Sequence, residues 1–185
     1  MQRLDPTRTV LLVIDVQERL IPAMSAESAA RVVKNVDLLL DAATRLGAKT
    51  IVTEQYPKGL GPTVEPLRGP IEASLAQRFE KICFSAADLP GVARAIDALA
   101  PRSVVVVGME THVCVFQTVR ELAAHGYEVH VPHDAVSSRR EDDRRVGLEL
   151  MQRAGATITT TETVVFDWLQ KAEGEHFKAL SKKMR

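Results

Sequence analysis

Short runs that are apolar at nearly every position alternate along this chain with longer stretches whose apolar residues recur three or four apart. Residues 9–15 (TVLLVID) are β-branched residues and Leu up to the final Asp, the pattern of a strand covered on both faces. Residues 25–47 place Val32, Val33, Val36, Leu39 and Leu40 at helical spacing, with Ser25 as N-cap and Gly47 as stop. Residues 49–55 (KTIVTEQ), 78–84 (RFEKICF), 103–109 (SVVVVGM), 127–132 (YEVHVP) and 155–160 (GATITT) read as further strands. Helices are predicted over 91–100, from about Thr111 to His125, and from a Ser138/Glu141 capping box to about Arg153. Another helix is predicted after a Thr161 cap, and the polar tail beyond it also reads as helical. Residues 56–70 hold four prolines and three glycines, which predicts a functional loop without regular structure.

Strands alternating with helices of ten or more residues predict an α/β fold with a mainly parallel sheet and helices on both faces. No repeat or break in composition divides the chain, so 1–185 reads as one domain. In such sheets ligands bind at the carboxyl ends of the strands, near the switch in strand order. The polar residues expected there are Asp15, Glu54, Gln55 and the cluster at 110–114.

Charge and cysteine content narrow the function classes. Lys plus Arg number 24 and Asp plus Glu number 24, which argues against nucleic-acid binding or an anionic membrane surface as the main partner. A zero net charge and the apolar stretch 163–169 (TVVFDWL) favour a homo-oligomer, a dimer or tetramer. Two cysteines, Cys83 and Cys114, make neither a disulfide framework nor a zinc-ligand pattern. With no signal peptide and no membrane-length apolar run, the expected location is cytoplasmic.

Three residues carry candidate chemistry, each with a plain structural alternative. Asp15 ends a buried strand and needs a cation or donors, or it only caps the following loop. Lys81 interrupts an apolar strand as the partner of such a carboxylate, or it blunts an edge strand. Cys114 lies in the predicted first turn of a helix, where free N–H groups and a nearby cation lower a thiol pKa, or it is a small buried hydrophobe. Cys83 is expected in the core, so Cys114 is the thiol expected to react first with alkylating agents. His112 lies two residues before Cys114, and positions i and i+2 on a helix diverge, so it is not expected to pair with the thiol. Gln17, Tyr56, Glu110 and Phe116 are candidate substrate-pocket residues.

The segments LLVIDVQ, FEKICFS and GMETHVCVFQTVREL, in this order and separation, resemble the isochorismatase-like cysteine hydrolase family. TEQYPKGLGPTVEPL and HDAVSSR resemble its subgroup of isochorismatase domain-containing hydrolases. The resemblance implies a three-layer, Rossmann-like fold with a six-stranded parallel sheet and an Asp–Lys–Cys triad at Asp15, Lys81 and Cys114. It also implies a cis Met109–Glu110 peptide that aims the amides of Glu110 and Cys114 at an oxyanion. Family enzymes acting on isochorismate do not use a cysteine here, so Cys114 points to the amidase branch. Nicotinamidases of that branch carry a metal site resembling Asp-x-His after the second strand. This chain has VTEQYP at that place, so no metal is expected. The implied activity is hydrolysis of a small amide, ureide or related acyl compound through a thioester, with water as co-reactant and no cofactor. The rivals are a catalytically idle homo-oligomeric binding or scaffold protein and a redox sensor using Cys114.

Overall fold

A computed structural model describes residues 2–184. Its strands are β1 (Thr9–Ile14), β2 (Lys49–Gln55), β3 (Gln77–Lys81), β4 (Ser103–Met109), β5 (Glu128–Pro132), β6 (Val136–Ser137) and β7 (Thr157–Thr159). The helices are α1 (Ala26–Leu46), α2 (Pro57–Leu60), α3 (Glu65–Ala73), α4 (Pro90–Leu99), α5 (Phe116–Ala124), α6 (Glu141–Arg153), α7 (Thr161–Leu169) and α8 (Gly174–Met184). The main sheet runs β3-β2-β1-β4-β5-β7, with the two-residue β6 set against β4. All of these pairings are parallel.

The central strands β1 and β4 are buried at every position because helices cover both faces. Alternate residues serve opposite layers. Leu11, Val13, Val105 and Val107 pack with Val36 and Leu39 of α1, Leu67 of α3, Val164 and Trp168 of α7, and Leu180 of α8. Val10, Leu12, Ile14, Val104 and Val106 pack with Val92 and Ile96 of α4, Val119 of α5 and Met151 of α6. The result is a three-layer α/β fold. The chain lays β2 and β3 on one side of β1, then returns to place β4 on the other. Between β1 and β4 lies the switch in strand order, and Ile14 sits in register with Gly108 at its carboxyl end. The next residues on the two strands therefore emerge side by side.

Several local expectations are overturned. The 56–70 stretch is not irregular: it holds α2 and the start of α3. Pro57 and Pro66 fall in the first turns of these helices, where a missing N–H leaves no bond unmade. The third strand stops at Lys81 rather than Phe84, and Ile82 and Phe84 are exposed. Thr160, not Thr161, caps α7 by accepting from the Thr163 amide. Arg140 occupies the N-cap of α6 with no side-chain bond, so the Ser138/Glu141 capping box does not form. The TVVFDWL stretch supplies no broad apolar surface, because Val164, Val165 and Trp168 are buried in this chain's own core and Phe166 alone among its large apolar residues is prominently exposed.

Candidate active site

Asp15 follows β1 in a left-handed backbone conformation, φ +52°, and is fully buried. Its Oδ2 accepts from Lys81 Nζ at 2.6 Å and its Oδ1 from Thr53 Oγ1 at 2.7 Å. Lys81 ends the edge strand β3, yet its side chain is buried rather than turned to solvent. Its ammonium also donates to Gln55 Oε1 at 2.7 Å and reaches the Phe84 carbonyl at 3.1 Å. A buried ammonium is tolerable only with such a full set of acceptors.

Strand β4 delivers the third side chain. At Gly108, φ is +117°, and a Cβ there would lie 1.9 Å from the Ile14 carbonyl oxygen. Glycine alone permits this approach of β4 to the end of β1. The Met109–Glu110 peptide that follows is cis. Thr111–Val115 then form a π-helical turn ahead of α5, where the sequence pattern predicts a continuous α-helix from Thr111. Cys114 sits in this turn, buried, and near enough to Asp15 for the carboxylate charge to act on its thiol.

The electrostatics differ from the sequence-based expectation. Burial first, and then the Asp15 charge, push the Cys114 thiol up to about 12, with Lys81 only partly opposing them. The expected lowering by a helix start fails because desolvation and a facing carboxylate both favour the neutral thiol. Burial also raises the Asp15 carboxyl above its ordinary value, against the pull of Lys81 and Thr53. The resting site therefore pairs a protonated thiol with a carboxylate of heightened basicity.

The remaining candidates separate. Gln17 is fully buried. Its Nε2 donates to the carbonyls of Gly61 at 2.6 Å and Gln55 at 3.0 Å, and its Oε1 accepts from the Gln55 amide at 2.7 Å. With its amide engaged in this way, Gln17 is a strut that pins the 55–61 segment to the end of β1. Tyr56 is half exposed and lines a cleft of about 580 Å³ with Lys81, Cys83, Leu89 and Pro90. Phe116 packs against the same core layer as Cys114, with the Arg120 guanidinium 5.3 Å from its ring centre. Glu110 is nearly buried, and its Oε2 accepts from the Arg139 amide at 3.0 Å and Arg139 Nε at 3.1 Å. Cys83 is not a core residue: it is half-buried and lines the cleft. His112 Nδ1 is 2.9 Å from Ser138 Oγ. Among the described residues, no group of three or more His, Cys, Asp and Glu side chains could hold a metal ion, and no helix is long and apolar enough to cross a membrane.

Thr53 is not singled out by the sequence, and Gln55, expected at the strand ends, has no partner assigned there. They stand two apart on β2 and so share a face, which was the available signal. A model of the isochorismatase domain matches residues 9–163. The chain belongs to the isochorismatase-like hydrolase family. Isochorismatase domain-containing protein 1 of Salmo salar is 38% identical over 181 residues, covering 95% of this chain and 60% of its own length. The chain thus spans about 60% of that relative. Isochorismatase domain-containing protein 2 of Bos taurus is 35% identical, covering 97% of this chain and 84% of its own. Among solved structures, the MAR1 ribonuclease of Caenorhabditis elegans superposes with a TM-score of 0.91 at 37% identity, covering 99% of this chain and 92% of that one. The YcaC product of Escherichia coli, described as an octameric hydrolase of unknown specificity, reaches a TM-score of 0.90 with coverages of 99% and 91%. Its identity of 23% makes it a likeness of fold alone.

Proposed function

We propose that this isochorismatase-family protein is a cysteine hydrolase that cleaves a small amide, ureide or related acyl compound through a thioester. The observation that carries the reading is the Asp15 carboxylate, which is held by Lys81 at 2.6 Å and acts on the Cys114 thiol in a buried site. A thiol with so high a pKa is not a standing thiolate, so its proton must leave as the sulfur attacks. Asp15 takes that proton, and its own raised pKa makes it a stronger base than an ordinary carboxylate. The sulfur adds to the carbonyl carbon, and the amides of Glu110 and Cys114 receive the oxyanion. Asp15 then returns the proton to the leaving amine, and water attacks the thioester, releasing the acid and the thiol. Lys81 keeps Asp15 oriented throughout, and the cleft beside Tyr56 receives the rest of the substrate. This chemistry calls for no metal or organic cofactor.

We also propose that the protein is a homo-oligomer, a dimer or tetramer, that works on a small molecule in the cytoplasm. Exposed Tyr56 and Ile82 line the cleft, and the YcaC product described above is octameric. An idle binding or scaffold protein is the alternative. The screen that separates the two measures amine or ammonia release from a panel of small amides and ureides, with wild type and Cys114→Ala. A structured RNA belongs in the same panel, since one relative is described as a ribonuclease. Turnover of an amide or ureide that vanishes in Cys114→Ala supports the reading. Cleavage of RNA alone, or turnover that survives the substitution, overturns it.

A further inference from the structure

Helix α6 contains a glycine, Gly147, at its buried middle. Glycine is among the poorest helix residues, so one in mid-helix needs a packing reason. Here the reason is a neighbour. A Cβ at 147 would lie 3.0 Å from the His112 Cα, 3.1 Å from the His112 nitrogen and 3.1 Å from the Thr111 carbonyl carbon. These are backbone atoms of the turn that carries Cys114. A side chain could swing away, but backbone this close relieves the contact only by a small shift between the turn and α6.

Two polar ties reach the same turn from the start of α6. Arg139, just before the helix, gives both its amide and its Nε to the nearly buried Glu110 carboxylate. The buried Ser138 hydroxyl meets His112 Nδ1, and Asp143 of the first turn lies 4.0 Å from His112 Nε2. Glu110 is thus held before Thr111, His112 is held after it, and the peptide between them rests on Gly147.

We propose that α6 is a brace that sets the position of the Cys114 turn, with Gly147, Arg139 and Ser138 as positioning residues. None of the three touches the reacting atoms. They act by fixing Glu110, Thr111 and His112, and through them the place of the thiol beside Asp15. The catalytic meaning of the brace rests on the proposed nucleophile role of Cys114, although the position of the thiol can be tested without any substrate.

A thiol that moves away from Asp15 and out of its buried seat loses both influences that keep it protonated, so it should become more reactive while turnover declines. Iodoacetamide is the probe, at mildly alkaline pH, with labelling of Cys114 and Cys83 followed separately by peptide mapping. Gly147→Ala should speed Cys114 labelling by roughly tenfold, the change in thiolate that one pKa unit produces. Labelling of Cys83 should stay at the wild-type rate. Arg139→Ala changes a largely exposed side chain, so it keeps the fold if Gly147→Ala does not. It should shift Cys114 in the same direction, and Arg139→Lys should restore much of the wild-type rate. General destabilisation would instead speed both cysteines together. Unchanged Cys114 labelling in Arg139→Ala and Gly147→Ala, or parallel acceleration of both cysteines, would overturn the brace. Turnover that persists in Cys114→Ala would overturn the nucleophile reading instead.

Discussion

Lys81 Nζ lies 2.6 Å from Asp15 Oδ2, and neither side chain has measurable exposure. The two residues are 66 positions apart in sequence and meet because β2 alone separates their strands. Removing one charge from such a pair leaves the other buried and uncompensated, at a penalty of about 3–5 kcal/mol. Lys81→Met is expected to lower the melting temperature sharply and abolish turnover. Replacing both charges is often nearly neutral for stability. Asp15→Asn combined with Lys81→Met should therefore recover much of the melting temperature while remaining inactive. Thermal denaturation of wild type, Lys81→Met and the double variant, with turnover measured alongside, checks this.

The two thiols should titrate and react differently. Cys114 is raised from 9.0 to about 12, which means less thiolate near neutral pH than an ordinary cysteine has. Cys83 is half-buried on the cleft wall. Iodoacetamide near neutral pH should therefore label Cys83 first, the reverse of what the helix-start position of Cys114 predicts from sequence. Raising the pH above 9.0 and toward 12 should speed Cys114 progressively. Peptide mapping across a pH series reads both rates, and faster labelling of Cys114 at neutral pH would show that its thiol is not held up.

Asp15 supplies the acid limb of the pH profile. Its carboxyl lies above the ordinary 3.8 because burial favours the neutral form. A base must be ionised to act, so turnover should fall as pH drops through this raised value, above 3.8. The pH dependence of kcat/KM at constant ionic strength measures the limb. A limb at or below the ordinary value would contradict the assigned cause.

Gln17 and Tyr56 should separate stability from substrate binding. Gln17→Ala removes three hydrogen bonds in a fully buried place, with an expected loss of about 2–3 kcal/mol in stability. Tyr56→Ala alters a half-exposed cleft wall, so KM should rise with little change in melting temperature. Denaturation curves and saturation kinetics on both variants check the division.

Much of this architecture is legible in the chain. The unbroken apolar runs of β1 and β4 announce strands covered on both faces, and the polar residues that end them announce the site. What is hidden depends on partners distant in sequence. Proline density conceals α3, because Pro66 reads as a breaker until its place in the first turn is known. Ile82 and Phe84 read as strand interior although they stand in solvent beyond Lys81. The strut role of Gln17 is hidden because its partners, Gln55 and Gly61, lie 38 and 44 positions away in sequence. The Cys114 thiol misleads most. Its helix-start position is local and visible, whereas burial and the facing Asp15 are tertiary and prevail. β6 and the seat of Gly147 against His112 have no sequence signature of their own.

A thioester mechanism requires that Cys114 becomes acylated during turnover. The direct measurement is mass spectrometry of protein acid-quenched while hydrolysing the best substrate from the amide and ureide screen, followed by peptide mapping. The predicted result is one added acyl mass on the peptide containing Cys114, lost on further incubation and absent from Cys114→Ala, which also lacks turnover. An acyl group carried by another residue, or undiminished hydrolysis by Cys114→Ala, would rule out Cys114 as the nucleophile.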